Sequence, residues 1–592
     1  MLTSVTRDSG KRRSMPSTKS TLDFLGLDTE TVDGYARLIG LSDGSLYRID
    51  SMKDIASFFL SFLKAKRTYF FAWNADFDIQ AIIKYFPKKW LFLLLKGISI
   101  EVELDGEKLV IHYVKGKYLQ FDHNYIFDAC QYYGTSLKVA AQKYLPEDEG
   151  KLEFDAATIS EKNIRSPEVE TYCVRDALIA HKLFSKFWGG LPEKLKGTRP
   201  ISNAFYSWAY FRKELEANRP KPAVNEYFRN AYHGGRFEIY QRGAFKRLYV
   251  YDINSAYPYE ISKLRTLVGA HYVNSSEYLP GATYSVYKIR VNITEKFVSP
   301  LLLKDKGLCC YPVGHFEGYV TKGEYEAVRP YGPEIIEGYH IYAGREHPFA
   351  EKVRELYFKR RSSGYSLPYK IILNSLYGKC GSSVEKFVKA EDVGEDVSIV
   401  DYMDKDGVSY VKFEDLSKSN FIYASEITAR TRLRLYEIVK ENSNEIIMVN
   451  TDSVVSTTPL RLCLSSNLGD WKPEIWEEAY IIGSGVYFYR VGAEWRGKYR
   501  GFPFRESVVK DILQKVLRAK TAYVSFNVKK RYSIQEAWRI HDEELGNIIR
   551  DVSRKLNLNF DRKRVWKGAW KRGSDLRRIR IKSQALYLDR GI

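Results

Sequence analysis

The sequence predicts an α/β and α+β multidomain protein, and three observations lead there. At 592 residues the chain is longer than one hydrophobic core supports, so roughly three to five folded units are expected. Short β-branched and aromatic runs, such as Leu248 to Ile253 and Ile446 to Val449, read as buried strands that break into polar residues. Between such runs lie stretches with helical spacing, for example 169–180 and 370–379, as mixed architectures require.

Composition narrows the class. Hydrophobic residues make up 44% and charged residues 28%, a soluble globular balance, and no apolar run reaches the roughly 18 residues of a membrane span. The longest, Trp90 to Leu95, reads as core, so no membrane partner is expected. Lys and Arg number 93 against 73 Asp and Glu, a net charge of +20. That excess suits a polyanion, because neutralised phosphates release counterions; a basic surface kept soluble by self-repulsion is the plain alternative. The 45 tyrosines and 10 tryptophans favour nucleic acid, whose unpaired bases stack on aromatic faces. Cys130, Cys173, Cys309, Cys310, Cys380 and Cys463 show no C-x₂-C spacing, which argues against structural zinc and for a reducing compartment. Residues 1–20 are polar with Lys11-Arg12-Arg13 and no apolar stretch. They read as a disordered basic tail, with a mitochondrial presequence as the weaker reading.

Three carboxylate-bearing stretches follow. In Asp28-Thr29-Glu30 the period of two places both acids on one side of a strand; alone, this is usually a solvated face. Asn74 and Asp78 follow an apolar strand from Tyr69 and share a face if the chain turns helical there. Tyr172 and Asp176 stack at i, i+4 on a predicted helix, as an ordinary surface pair also would. Thr135-Ser136-Leu137 reads as a helix start capped by a hydroxyl. The Gly, Pro and Lys-rich passage 189–200 closes this unit.

In the second half, the strand through Tyr251-Asp252 breaks at Asn254-Ser255 before Pro258, leaving Asp252 at a strand end. Two apolar runs flanking Asn450-Thr451-Asp452-Ser453 read as a hairpin with Asp452 near its tip. Two such aspartates on one sheet can hold a pair of metals roughly 3.5–4 Å apart, the arrangement used in phosphoryl transfer. Tyr232-His233-Gly234-Gly235-Arg236 lets a backbone come close to a strand of nucleic acid, or is simply a turn. Lys370, Asn374 and Tyr377 fall along one face of a predicted helix, where a lysine can neutralise a triphosphate. Any amphipathic helix has the same spacing.

Taken together and in order, these motifs resemble a known family. Asp28-x-Glu30, Asn74-x-x-Phe77-Asp78 and Tyr172-x-x-x-Asp176 look like the motifs of DEDDy 3′-5′ exonucleases. Asp252-x-x-Ser255-x-Tyr257-Pro258, Lys370-x-x-x-Asn374-Ser375-Leu376-Tyr377-Gly378 and Thr451-Asp452-Ser453 look like motifs A, B and C of family B DNA polymerases. Tyr232-His233-Gly234-Gly235 resembles the Y-x-G-G motif of their protein-primed subgroup, found in phages, viruses and linear plasmids. The resemblance implies an RNase H-like exonuclease domain followed by a right-hand polymerase of palm, fingers and thumb.

By the same resemblance Asp28, Glu30, Asp78 and Asp176 hold two metals and Tyr172 orients the attacking water. Asn74, Phe77, Ser136 and Leu137 hold the frayed 3′ strand. Asp252 and Asp452 hold two Mg²⁺ (or Mn²⁺) ions in the palm. Tyr257 is the gate against a ribose 2′-OH, Lys370 and Lys359 bind the triphosphate, and Asn374 and Tyr377 line the base-pair pocket. Tyr232, Gly234 and Gly235 hold template, and Lys498 is the primer-end lysine, since Gly485-Val486-Tyr487 lacks the usual lysine. Asn450 stands where the family usually has an aspartate, so weakened activity is expected.

The implied domains are a tail at 1–20, exonuclease at 21–195, linker with the Y-x-G-G element at 196–240, palm at 241–350 and 420–505, fingers at 351–381, a template-encircling insertion at 382–419 and thumb at 506–592. The thumb's basic segment, 562–582 with Trp566 and Trp570, is expected to grip DNA. The implied function is template-directed DNA synthesis with proofreading, on a DNA template and primer with deoxynucleoside triphosphates, in the cytoplasm of a host cell. A separate terminal protein is the expected primer. The alternative is a catalytically weakened homologue acting as a DNA-binding protein or exonuclease only.

Overall fold

The structure, a computed structural model, describes residues 23–63, 67–305, 308–392, 399–405, 408–499, 523–557, 563–567 and 580–589. The tail, Trp570 and most of the basic segment at 562–582 lie outside the described residues.

The N-terminal unit is built on an eight-stranded mixed sheet whose strands all come from 23–128. Its centre is Asp23–Val32, parallel to Thr68–Ala72, which is in turn parallel to Asn124–Asp128. These central strands are nearly all apolar where helices cover them, as parallel strands buried on both faces require. The long helix Pro167–Gly189 starts behind the Ser166 cap, with a proline in its first turn, as helix starts favour. It lies directly on the first strand. A Cβ on Gly26 would sit 1.8 Å from the Ala177 carbonyl oxygen, so only glycine permits this approach.

A nine-stranded sheet carries the second half. Gln241–Ile253 runs through its middle, antiparallel to both Trp471–Gly483 and Ser453–Ser456. The hairpin Ile446–Thr451 to Ser453–Ser456 puts Asp452 at its tip as expected. The helix Phe421–Glu441 contacts Ile446–Thr451 and the helix Ala256–Ser262. A separate five-stranded sheet, from 271–342 and Tyr587–Asp589, flanks it.

Four expectations change here. The stretch 196–240 is no linker: helices Asn203–Tyr210, Arg212–Ala217 and Pro222–Arg229 occupy it. Their Tyr206, Phe228 and the intervening Phe211 are fully buried in one apolar cluster that runs from Phe71 and Phe184 to Ile372 and Ile422. Aromatic side chains anchored the segment where Gly and Pro suggested a break. The predicted helix through Lys370 and Tyr377 is two pieces, Leu367–Asn374 and Leu376–Cys380. Arg564, read as a DNA-gripping cation, is instead buried and bound to Glu238 at 2.9 Å, and Trp566 lies under the Arg242 guanidinium at 3.9 Å. Finally, the described part of 506–592 does not stand free. The hairpin Tyr523–Tyr532 with Ile548–Asn557 carries a tip whose Ile534 belongs to the N-terminal core.

Candidate functional site

Two groups of carboxylates form, one in each half. In the N-terminal group the first strand presents Asp28 and Glu30 on one side, beside Cys173 of the long helix; their ligand atoms lie within 4.8 Å of one another. Asp78 joins them through the helix Asp76–Ile83. The Thr29 backbone N–H and hydroxyl both donate to Asp78 Oδ1, at 3.1 and 2.7 Å. Tyr172 and Asp176 project one turn apart from the long helix and are buried. Burial, and then the neighbouring acids, push the Glu30 carboxyl up to about 8 and Asp28 well above the usual carboxylate range. Asp78 is pushed up to about 7 by burial alone, against its hydrogen bonds from Thr29. Like charges this close resist joint ionisation unless a cation compensates them.

Part of that compensation is a lysine the sequence reading missed. Lys151 Nζ donates to Asp176 Oδ2 and lies 4.7 Å from the Tyr172 ring centroid. Its own pKa is raised: burial opposes the charge, and Asp176 outweighs it. The other oxygen, Asp176 Oδ1, is buried without a hydrogen-bond partner. An all-oxygen acidic set with an orphaned buried oxygen fits a hard divalent cation.

The strand-holding residues divide. Asn74 does not share a helical face with Asp78. It precedes the helix in a left-handed conformation, φ 63°, and its backbone N–H donates to Asp128 Oδ1 at 2.9 Å. Phe77 is half-buried near the group. Leu137 is only 7% exposed and packs with Ala140, Ile179 and Leu183, so it is core rather than a DNA contact. Ser136 is exposed, with its hydroxyl accepting the Val139 N–H as a helix cap.

The second group sits at the end of the nine-stranded sheet. Asp252 pairs in register with Ser453, and the Ile253 N–H donates to the Asp452 carbonyl at 2.9 Å, which sets the two aspartates side by side. Ser255 and Thr451 both adopt positive φ, 52° and 64°, turning the chain sharply after one aspartate and before the other. Such backbone at an acidic strand end is a mark of functional sites. The Asp252 carboxyl is pushed up to about 6 by burial and then by Asp452, while Lys472 and Arg360 oppose the rise. Asp452 is raised too, by burial, with the Lys498 charge pulling it back.

Two of the predicted nucleotide residues, Tyr257 and Tyr377, lie within electrostatic reach of Asp452. Tyr257 and Tyr377 face each other with ring centroids 4.1 Å apart. A Cβ on Gly235 would come within 2.8 Å of both Thr451 Cγ2 and Tyr257 Oη, whereas one on Gly234 would meet nothing within 4 Å, so the second glycine alone allows the close chain approach. Tyr232 packs on Phe421, 5.7 Å between centroids, at the same joint. Asn374 is half-buried where the first helical piece ends, and Lys370 is exposed with no ion pair among the described residues. Lys359, in contrast, is paired to Glu355 at 2.5 Å. The next residue faces the aspartates: Arg360 Nη1 donates to Ser255 Oγ at 2.7 Å. A helix turns about 100° per residue, so neighbouring cations point to different faces.

Two further residues went unnoticed in the sequence. Arg432, fully buried and paired with Glu324 at 2.6 Å, donates to the carbonyls of His233 and Gly234 at 2.9 and 2.8 Å. Asn450, where an aspartate was expected, donates its amide to Tyr487 Oη at 3.1 Å.

A family model described as DNA polymerase type B, organellar and viral, matches residues 158–442. Residues 158–442, just under half of this chain, are thus similar to type B DNA polymerases of organelles and viruses. The DNA polymerase of Acidianus bottle-shaped virus is 26% identical over 471 residues, 73% of this chain and 66% of the viral protein. A probable DNA polymerase of Ascobolus immersus is 23% identical over 362 residues, 54% of this chain and 29% of the fungal one. The chain thus spans just under two thirds of the viral relative and under a third of the fungal one. Phi29 DNA polymerase, solved with primer-template DNA and incoming nucleotide, matches with a TM-score of 0.65 at 15% identity, covering 90% of this chain and 100% of that one. The fold is therefore the expected one, an RNase H-like exonuclease domain followed by a right-hand polymerase.

Proposed function

We propose that this chain is a template-directed DNA-dependent DNA polymerase that adds deoxynucleotides to a 3′ hydroxyl and removes mispaired 3′ ends at its N-terminal acidic group. The carrying observation is the convergence of Asp252 and Asp452 with Tyr257, Tyr377, Arg360 and Lys498 at one sheet end. Asp252 and Asp452 would hold divalent cations, Mg²⁺ or Mn²⁺. Two such ions, when bound, activate the attacking hydroxyl and offset charge on the leaving pyrophosphate. Around them the protein positions and neutralises. Arg360 and the exposed Lys370 take the triphosphate. The Tyr257 ring, held against Tyr377, occupies the space of a ribose 2′-OH. Lys498, whose charge reaches Asp452, would hold the primer end. In the N-terminal group, Asp28, Glu30, Asp78 and Asp176 would hold the ions, and Tyr172 with Lys151 would orient the attacking water.

The likeness to a viral polymerase and to the phi29 fold, together with the Tyr232 to Gly235 element at the palm, supports initiation on a separate terminal protein and replication of a phage, viral or linear-plasmid genome in the host cytoplasm. No helix among the described residues is long and apolar enough to cross a membrane. Purified protein given a primed template, Mg²⁺ and deoxynucleotides is expected to extend the primer. No extension alongside normal DNA binding would leave a non-catalytic DNA-binding homologue as the reading. Label transferred from a deoxynucleotide to a second polypeptide would support protein priming; unprimed free DNA made by this chain alone would exclude it.

A further inference from the structure

We propose that Arg531, at the tip of the C-terminal hairpin, is a positioning residue of the N-terminal trimming site, so that this site is completed from the far end of the chain. The inference rests on the reading of that acidic group as a 3′-strand trimming site.

The tip lies between Tyr532 and Ile548 and contains the helix Ile534–Arg539. It meets the helix Asp76–Ile83, which carries Asp78, through directed polar contacts. Arg531 Nη2 donates to the Asp76 carbonyl at 2.7 Å and Nη1 to Asp76 Oδ2 at 3.2 Å. Its guanidinium also lies 5.3 Å from the Phe77 ring centroid. Asn547 Nδ2 donates to the Phe77 carbonyl at 3.1 Å and to Gly34 at 3.2 Å. The Ile534 N–H donates to Gln80 Oε1 at 2.8 Å, and the fully buried Gln80 returns its amide to Asp76 at 3.0 Å and Tyr113 at 3.2 Å. Lys84 Nζ reaches the Gly546 carbonyl at 2.6 Å.

The contacts of Arg531 and Asn547 fall on the first turn of the helix, while Gln80 is held in its middle and Lys84 at its far end. Asp76, Phe77 and Asp78 are consecutive, so a fork held on Asp76 and stacked over Phe77 fixes how Asp78 faces Asp28 and how the Phe77 ring faces an entering strand. A bidentate guanidinium imposes that geometry where an ammonium cannot. A catalytic constellation loses rate when its support loosens by a fraction of an ångström. Gln80, Asp76 and Asn547 all find hydrogen-bond partners in this network, and satisfied networks specify one arrangement. A latch that only kept the domains together would need none of this aim at Asp76 and Phe77. At the rim, Lys88 and Glu543 form a 2.7 Å pair of that plainer kind.

The test measures trimming of a labelled single strand and extension of a primed template in the full-length protein. Arg531→Ala is expected to lower the ratio of trimming to extension at least about tenfold, through kcat with KM for the strand changed less, and Arg531→Lys to recover part of it. Asp76→Asn should show the same defect, and the double variant no more than either single one. Glu543→Ala should keep the native ratio. A native ratio in Arg531→Ala, in a protein whose trimming Asp28→Ala with Glu30→Ala abolishes, overturns the inference and leaves the site reading standing. A lowered melting temperature with equal loss of both activities overturns it too, as a purely structural role. Absence of trimming by the native chain overturns the site reading itself, and the inference with it.

Discussion

The two acidic centres solve the same problem with different surroundings. In the N-terminal centre four carboxylates are packed under a long helix, the protein itself supplies a cation in direct contact, Lys151, with Arg175 and Arg531 further out, and one Asp176 oxygen is left buried and unpaired. At the end of the nine-stranded sheet Asp252 and Asp452 meet, with Glu474 adding to the negative charge and Arg360, Lys472 and Lys498 opposing it. The first arrangement holds excess negative charge in a mostly buried place. The second sets several cations beside its carboxylates. A centre's task is thus legible in what balances its carboxylates, more than in the carboxylates themselves.

The sharpest break of this comparison removes one centre at a time. Asp252→Ala should abolish primer extension, by about 10³-fold or more, on the scale of deleting a group that acts at developing charge, and leave single-strand trimming in place. Loss of trimming in that variant would mean the centres are not separate. Next in size is the distinction between neighbouring cations on the helix Ala350–Ser362. Arg360→Ala should raise KM for deoxynucleotide about tenfold or more, since a charge-assisted hydrogen bond contributes ~1.5–3 kcal/mol, whereas Lys359→Ala should change it less than about twofold because that side chain makes an exposed ion pair. Steady-state kinetics with a single nucleotide decides; equal effects would restore Lys359 to the site. The smallest effect is expected at motif C. Because the Asn450 amide is held by Tyr487, Asn450→Asp should change extension by no more than a few-fold, measured at matched Mg²⁺. A large gain would mean Asn450 had weakened the metal site after all.

Which residues were legible in the sequence follows from how far each signal reaches. Asp28 with Glu30, Tyr172 with Asp176, and the hairpin tip at Asp452 are encoded in spacings of two to four residues, and the strand or helix period places them without further knowledge. Lys151, Arg360, Arg432 and Arg531 act across the fold, on partners that no periodicity connects to them. Asn74 failed for a local reason, its left-handed backbone, which a helical reading passes over. Leu137 failed because an apolar residue behind a helix cap is ordinary core, and the cap itself was the correct reading. The stretch 196–240 was misread because its Gly and Pro punctuation outweighed Tyr206, Phe211 and Phe228, whose burial only the packed structure reveals.

The sheet connectivity also fixes an order of assembly on the ribosome. All strands of the N-terminal sheet come from 23–128, so that sheet can close while most of the chain is still being made, as domains do during synthesis. Val313–Thr321, in contrast, must wait for Tyr587–Asp589 to complete its sheet, and Gln241–Ile253 for Ile581–Ala585. Throughout that interval the nascent N-terminal unit presents Gln80 and Asp76 to solvent, beside the apolar patch that later receives Ile534. The C-terminal half therefore matures last, and its hairpin Tyr523–Tyr532 with Ile548–Asn557 can dock on the N-terminal unit before Ile581–Ala585 and Tyr587–Asp589 complete their sheets.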